Sequence, residues 1–328
     1  MTSDQGTQGG WDIHTHLLPQ PLIAAAAQGD FGMKLEPDAI DVHGFRLALK
    51  TMGTPKALLD RIDADGLHGA AVGVPPPLFR ADLPTGERAA YIDLLNNGLL
   101  ETVDVAPERL RPLAYLPTDI PQLAVSVADA LDDRWAGVIV GTDLGAHSYA
   151  DESYHDLWRI LSDRKLPVLL HPSESKDARL KPFYLSNLIG NPMETTIAAA
   201  NLVFGDVLGQ FPDLQFILSH GGGAVGMLYG RWQRGMDTDR PGIRRLTLPP
   251  VEAVRRFNVD NVVHSPAQLS ALVDILGSER ILLGSDWPFP MGSVSAPASL
   301  DGIDAEIARL IRHDNPRRIF GFAWAQET

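Results

Sequence analysis

The chain alternates, and that alternation limits its folds more than anything else in it. Eight short β-rich runs are separated by amphipathic stretches: WDIHT (11–15), GAAVGV (69–74), RPLAYL (111–116), AGVIVG (136–141), LPVLLH (166–171), LQFILSH (214–220), NVDNVVH (258–264) and RILLGSD (280–286). The stretches between them include PKALLDRIDADG, ERAAYIDLLNNGLLETV, DESYHDLWRILSDR and SPAQLSALVDILG. They carry apolar residues at helical spacing, and several open on Asp, Ser or Pro, as helix starts do. A helix after each strand carries the chain back so that the next strand lies parallel to the last. Eight such units in 328 residues predict an α/β fold, a distorted (β/α)8 TIM barrel. A doubly wound open sheet is the competing fold, but no glycine-rich phosphate turn follows the first run.

Two segments depart from a plain barrel. Residues 19–53 form a long insertion after the first strand, and residues 172–191 a shorter one after the fifth. Loops of this length at the C-terminal ends of strands are expected to cover a site. Residues 1–10 are read as a frayed terminus with no leader pattern, and residues 11–328 as a single domain. No run of about 18 apolar residues suggests a membrane span. With no cysteine there is no disulfide, thiolate ligand or cysteine nucleophile, which fits a cytoplasmic protein. The net charge of −13 argues against nucleic-acid or anionic-membrane partners and leaves a small molecule as the expected ligand.

In a barrel, chemistry sits at the C-terminal ends of the strands, and this chain puts metal-competent groups there. His14 and His16 close the first run, two residues apart and so on one face of a strand. His171 ends the fifth run, His220 the sixth in FILSHGGG, and Asp286 the eighth in LLGSDWPFP. Singly, each has a plain explanation as a hydrogen-bonded core histidine or a turn-capping aspartate. Together they predict a divalent ion with three or four protein ligands and an open position. Nitrogen and carboxylate donors without sulfur suit zinc, with manganese, iron or cobalt as alternatives. Trp158, Leu157 and Leu161 recur at helical spacing and are read as core. His264 reaches the rim, while His43, His68, His147, His155 and His313 are assigned no role.

The set HTH, LLHP, LSHGGG and LGSDWPFP resembles the amidohydrolase superfamily (amidohydrolase family 2), in the group around α-amino-β-carboxymuconate-ε-semialdehyde decarboxylase. The resemblance runs from His14 to the closing PRRIFGF. It implies that His14, His16, His171 and Asp286 bind the metal and that His220 is the catalytic acid/base. Binuclear relatives use a carboxylated lysine on the fourth strand; AGVIVGTDL has none, so one ion is expected. The implied activity is metal-dependent, non-oxidative decarboxylation of a conjugated or aromatic carboxylic acid. Hydrolysis or hydration on the same site is the alternative, and a metal-binding subunit without catalysis a third reading. Arginine forks suit a substrate carboxylate. The resemblance points to Arg46 in DVHGFRLAL and to Arg231 in GMLYGRWQRG, the latter supplied by a neighbouring subunit of a homodimer. Phe289 is implied to flank the substrate. Phe183 and Asn187 stand near positions where the decarboxylase pattern has tryptophans, so a reshaped pocket is expected.

Overall fold

A computed structural model describes residues 9–322, and its strands follow the predicted runs. They are β1 (Trp11–His16), β2 (Lys34–Leu35), β3 (Ala39–Val42), β4 (Phe45–Ala48), β5 (Gly69–Gly73), β6 (Leu110–Tyr115), β7 (Gly137–Val140), β8 (Val168–Leu170), β9 (Phe216–Leu218), β10 (Asn258–Asp260) and β11 (Ile281–Leu282). Eight form one parallel sheet in the order β1-β5-β6-β7-β8-β9-β10-β11, so order in space follows order in sequence. The two ends then meet. Ile13 N–H donates to Leu283 O, Asp286 N–H to His14 O and His16 N–H to Trp287 O, each at 2.9 Å, which closes the barrel. Several strands are shorter than their runs. β8, β9 and β11 stop at leucine, and His171, His220 and Asp286 lie just beyond the ladder.

The helices form where the periodicity placed them. Thr54 caps helix Pro55–Ala64 by accepting the Lys56 N–H at 3.3 Å. Helix His155–Asp163 buries Leu157, Trp158 and Leu161 on one face, as expected of core residues. At the opposite end of β1 from the histidines, Trp11 is 2% exposed and stacks on Phe322 with ring centroids 4.1 Å apart. Of the terminus expected to fray, residues 1–8 lie outside the described residues. Gly9 is tied in, donating to Gly66 O at 2.7 Å and accepting from Arg312 Nε at 2.6 Å.

The first insertion is folded rather than slack. It holds helix Gln20–Gln28, the antiparallel sheet β2-β3-β4 and helix Leu49–Met52. Arg80, from the loop after β5, pins it: Nη1 donates to Phe31 O at 2.9 Å and Nη2 meets His43 Nε2 at 3.1 Å. The second insertion is a chain of short turns that leaves Phe183 86% exposed. Among the described residues no helix is long and apolar enough to cross a membrane. Replacing the buried tryptophan tests this packing: Trp11→Ala is expected to cost about 3–5 kcal/mol, read as a lower urea midpoint at unchanged slope. A midpoint equal to wild type would mean that burial of Trp11 against Phe322 adds nothing to stability.

Candidate metal centre

The site begins with an irregularity in β1. Asp12 pairs with Ala70 but Thr15 with Val72, so β1 carries an extra residue around His14. Such bulges redirect side chains. The His14 N–H leaves the ladder and is accepted by Asp12 Oδ1 at 3.1 Å. Asp12 also accepts from Ser285 N at 3.0 Å and Ser285 Oγ at 2.5 Å, joining β1 to the segment before Asp286.

Asp286 stands at the centre. Its Oδ1 lies 3.3 Å from His14 Nε2, 3.2 Å from His16 Nε2 and 3.7 Å from His171 Nε2, and its Oδ2 lies 3.3 Å from His220 Nε2. The structure thus brings all five predicted groups to one point. Ligand atoms of His14, His171, His220 and Asp286 fall within 4.8 Å of one another. His16 is outside that set and reaches it through Asp286. Two nitrogens, His14 Nε2 and His171 Nε2, are buried and, among the described residues, have no hydrogen-bond partner beyond their approach to Asp286 Oδ1. Donors each about 2.1 Å from a tetrahedral ion stand about 3.4 Å apart, so these spacings fit ligands gathered for one divalent ion.

His220 differs from the others. Its side chain keeps 18% exposure, against 0–7% for the rest. It has φ +55°, and Gly221, Gly222 and Gly223 follow at +64°, +74° and +61°. A β-carbon at Gly223 would come within 2.1 Å of Pro192 O, which accounts for the glycine run. Asp286, also left-handed at φ +58°, turns its carboxylate back into the barrel.

Burial and neighbouring charge set the protonation states. Burial disfavours the Asp286 carboxylate, but His14, His16, His171 and His220 together hold it well below the usual carboxylate range. Burial lowers His171 to about 3 and also lowers His16, which keeps both rings neutral and able to bind a metal. Burial opposes charge on His14 as well, yet the hydrogen bond to Asp260 and the charges of Asp286, Asp260 and Asp12 outweigh it and raise its pKa. Burial dominates at Asp12 and pushes it up to about 6.

His171, His220 and Asp286 open onto a cleft of about 1430 Å³, with His14 and His16 behind them. Phe289 lines it, with its ring 5.3 Å from His16. His264 and Asn187 also line it. Arg46 does not come into the cleft. On β4 its neighbour Phe45 lines the cleft edge, whereas Arg46 faces solvent, held by Glu36 and Asp38 at 2.7 Å each. Local register on a small sheet decides this, and the FR pair does not encode it. Arg231 lies on the exposed surface of helix Val225–Asp237 and does not line its own cleft. Sequence reading missed Asp12, Asp260, Arg80 and Phe79, whose ring lies 6.4 Å from that of His171 in the cleft wall. The available signal was a carboxylate inside an apolar run, at Asp12 in WDIHT and Asp260 in NVDNVVH.

The family model described as Amidohydrolase matches residues 11–322. The chain is 32% identical to 2-amino-3-carboxymuconate-6-semialdehyde decarboxylase of Caenorhabditis elegans, over 86% of each chain. It is 26% identical to the enzyme of that name from Dictyostelium discoideum, over 86% of this chain and 82% of the other. Among solved structures, 5-carboxyvanillate decarboxylase from Sphingomonas paucimobilis superposes with a TM-score of 0.81 at 19% identity, covering 96% of this chain and 99% of that one. At that identity the likeness speaks to the fold.

The raised His14 pKa has a measurable consequence. Below it the ring is protonated in the metal-free site, so an entering ion must displace that proton. Uptake of zinc at pH 6 is expected to release about one proton per chain, and affinity should weaken as pH falls further. Calorimetry in two buffers of different ionisation enthalpy measures this. No proton release at pH 6 would mean that His14 is neutral before the metal arrives.

Proposed function

The chain belongs to the amidohydrolase family, and on that premise we propose that it is a carboxy-lyase that removes carbon dioxide, without oxidation, from a conjugated or aromatic carboxylic acid. The observation that carries the reading is the buried group of four histidines and one aspartate, opening onto a cleft through its one partly exposed imidazole. That the two relatives described above are named as decarboxylases supports the choice of reaction.

In this reading His14, His16, His171 and Asp286 hold one divalent ion. Zinc suits the donor set, with manganese, iron or cobalt as alternatives. When bound, such an ion acts as a Lewis acid toward a substrate oxygen and offsets the negative charge of the site. His220 moves the proton. Its Nε2 is held 3.3 Å from Asp286 Oδ2, and its ring faces the cleft. It delivers a proton to the carbon that bears the carboxylate, and that carbon becomes tetrahedral. The bond to the carboxylate breaks, its electron pair returns to the conjugated system, and carbon dioxide leaves. His220 then recovers a proton from water in the cleft.

Phe289 flanks the planar substrate on the His16 side. Carboxylate recognition falls to Arg231 of a second copy, which makes the active unit a homodimer. Its support is the solvent-facing position of Arg231, one helical turn beyond Met227 at the cleft mouth. Arg46 would have to leave Glu36 and Asp38 to take part, so no substrate contact is assigned to it. A cytoplasmic location completes the reading and rests on the acidic, cysteine-free composition.

Carbon dioxide release by zinc-loaded and manganese-loaded protein, across aminocarboxymuconate semialdehyde and ortho-hydroxy or ortho-amino aromatic acids, is the test. Release that stops on chelation is expected. A metal-loaded protein that releases none from any of these acids would favour hydrolysis or hydration on the same site. Within an active assay, His220→Ala is expected to lower turnover about 10²–10⁴-fold while metal content stays near one per chain. If metal is lost with the side chain, His220 is a ligand and another group carries the proton.

A further inference from the structure

Asp260 is the last residue of β10 and is fully buried beneath the metal site. Its carboxylate accepts four hydrogen bonds, and each oxygen takes two. Oδ2 receives His14 Nδ1 at 2.7 Å and His220 N at 3.0 Å; Oδ1 receives Gly221 N at 2.9 Å and Val262 N at 3.1 Å. A carboxylate offers about four lone-pair sites, so none is left over. Two of the donors belong to His220 and Gly221, the first residues of the left-handed run, and a third is the ring that must turn Nε2 toward Asp286. Gly284 leaves the room for this. A β-carbon there would sit 2.9 Å from the Asp260 β-carbon and 3.1 Å from that of His14.

We infer that Asp260 is a positioning residue that sets two histidines at once, the tautomer of His14 through its ring and the place of His220 through its backbone. With Nδ1–H committed to Asp260, the free lone pair of His14 is on Nε2, the nitrogen that faces the other donors. With the His220 and Gly221 amides bound to the same carboxylate, the His220 turn cannot shift without disturbing His14. The naming of His14 as a ligand and His220 as the proton carrier rests on the proposed function; the bracket itself rests on the hydrogen bonds.

Asn at this position is nearly isosteric and chemically opposed. Asn presents one acceptor oxygen and one NH2, and all four protein partners of Asp260 act as donors. If the oxygen keeps Gly221 and Val262, the NH2 faces the His220 N–H and donates to His14 Nδ1, which drives the His14 proton onto Nε2. The reverse orientation sets the NH2 against the Gly221 and Val262 amides.

The experiment compares wild type with Asp260→Asn in the full-length protein, using zinc as the probe. Asp260→Asn should bind zinc about 10–100-fold more weakly, measured by competition with a chelator. At saturating zinc, kcat should fall about 10²-fold with KM little changed, because misplacement of His220 acts on the transition state. In zinc-loaded wild type labelled with ¹⁵N-histidine, NMR should show a slowly exchanging proton on Nδ1 of His14, a measurement that needs no variant to fold. Ligation of zinc through His14 Nδ1, or unchanged zinc affinity in folded Asp260→Asn, overturns the inference. If no acid is decarboxylated while affinity and tautomer behave as stated, the reaction assignment fails and the inference stands.

Discussion

Everything in the site depends on how the barrel closes. The first and last strands of the sheet are more than 250 residues apart in sequence, and three backbone hydrogen bonds between residues 13–16 and 283–287 join them. One of these runs from the Asp286 N–H to the carbonyl of His14, so the bond that completes the ring also sets a candidate ligand beside its neighbour. Asp12 reinforces the same seam through Ser285 and, through its other contact, holds the displaced amide of His14. Fold and site therefore share one join. Loosening the seam would pull Asp286 away from the histidines before it disturbed the outer helices.

The parts legible in the sequence are those with local periodicity. Eight apolar runs separated by amphipathic stretches fix a parallel barrel, because each βα unit carries its own hydrophobic pattern. The histidines and Asp286 stand out because a polar residue ending an apolar run is conspicuous, and the barrel converts that position into a rim. Asp260 has the same visibility in NVDNVVH, yet its partner His14 lies 246 residues away, and only closure brings them to 2.7 Å. Arg46 fails for the opposite reason. The motif around it is recognisable, but one step of strand alternation decides whether the side chain meets cleft or solvent, and Phe45 occupies the cleft side.

Three carboxylates, Asp12, Asp260 and Asp286, are buried within a few residues of one another in space, an arrangement that costs folding energy unless each is matched. Asp260 is matched fully by four donors. Asp12 is matched by a hydroxyl and two amides. Asp286 is different: its neighbours are imidazoles, two of them kept neutral by burial and one, His14, pushed toward the charged form, and the Nε2 atoms of His14 and His171 face it. A neutral ring is a weak counter-charge. The arrangement becomes self-consistent with a divalent cation at that point, because the ion serves both the carboxylate and those nitrogens.

The cleft poses the complementary problem for an anionic substrate. Its lining contains three cations, Arg80, Lys176 and Lys181. Arg80 is engaged by Asp82 through Nε and Nη2, and Lys176 by Asp143 at 2.7 Å. Lys181 is, among the described residues, the lining cation without an ion pair, and as a flexible ammonium on the second insertion it offers a point charge with no fixed fork. One subunit thus supplies little directional recognition for a carboxylate from its own cations. Under the proposed function, that gap is the one an exposed arginine of a second copy, Arg231 one turn beyond Met227 at the cleft mouth, would fill.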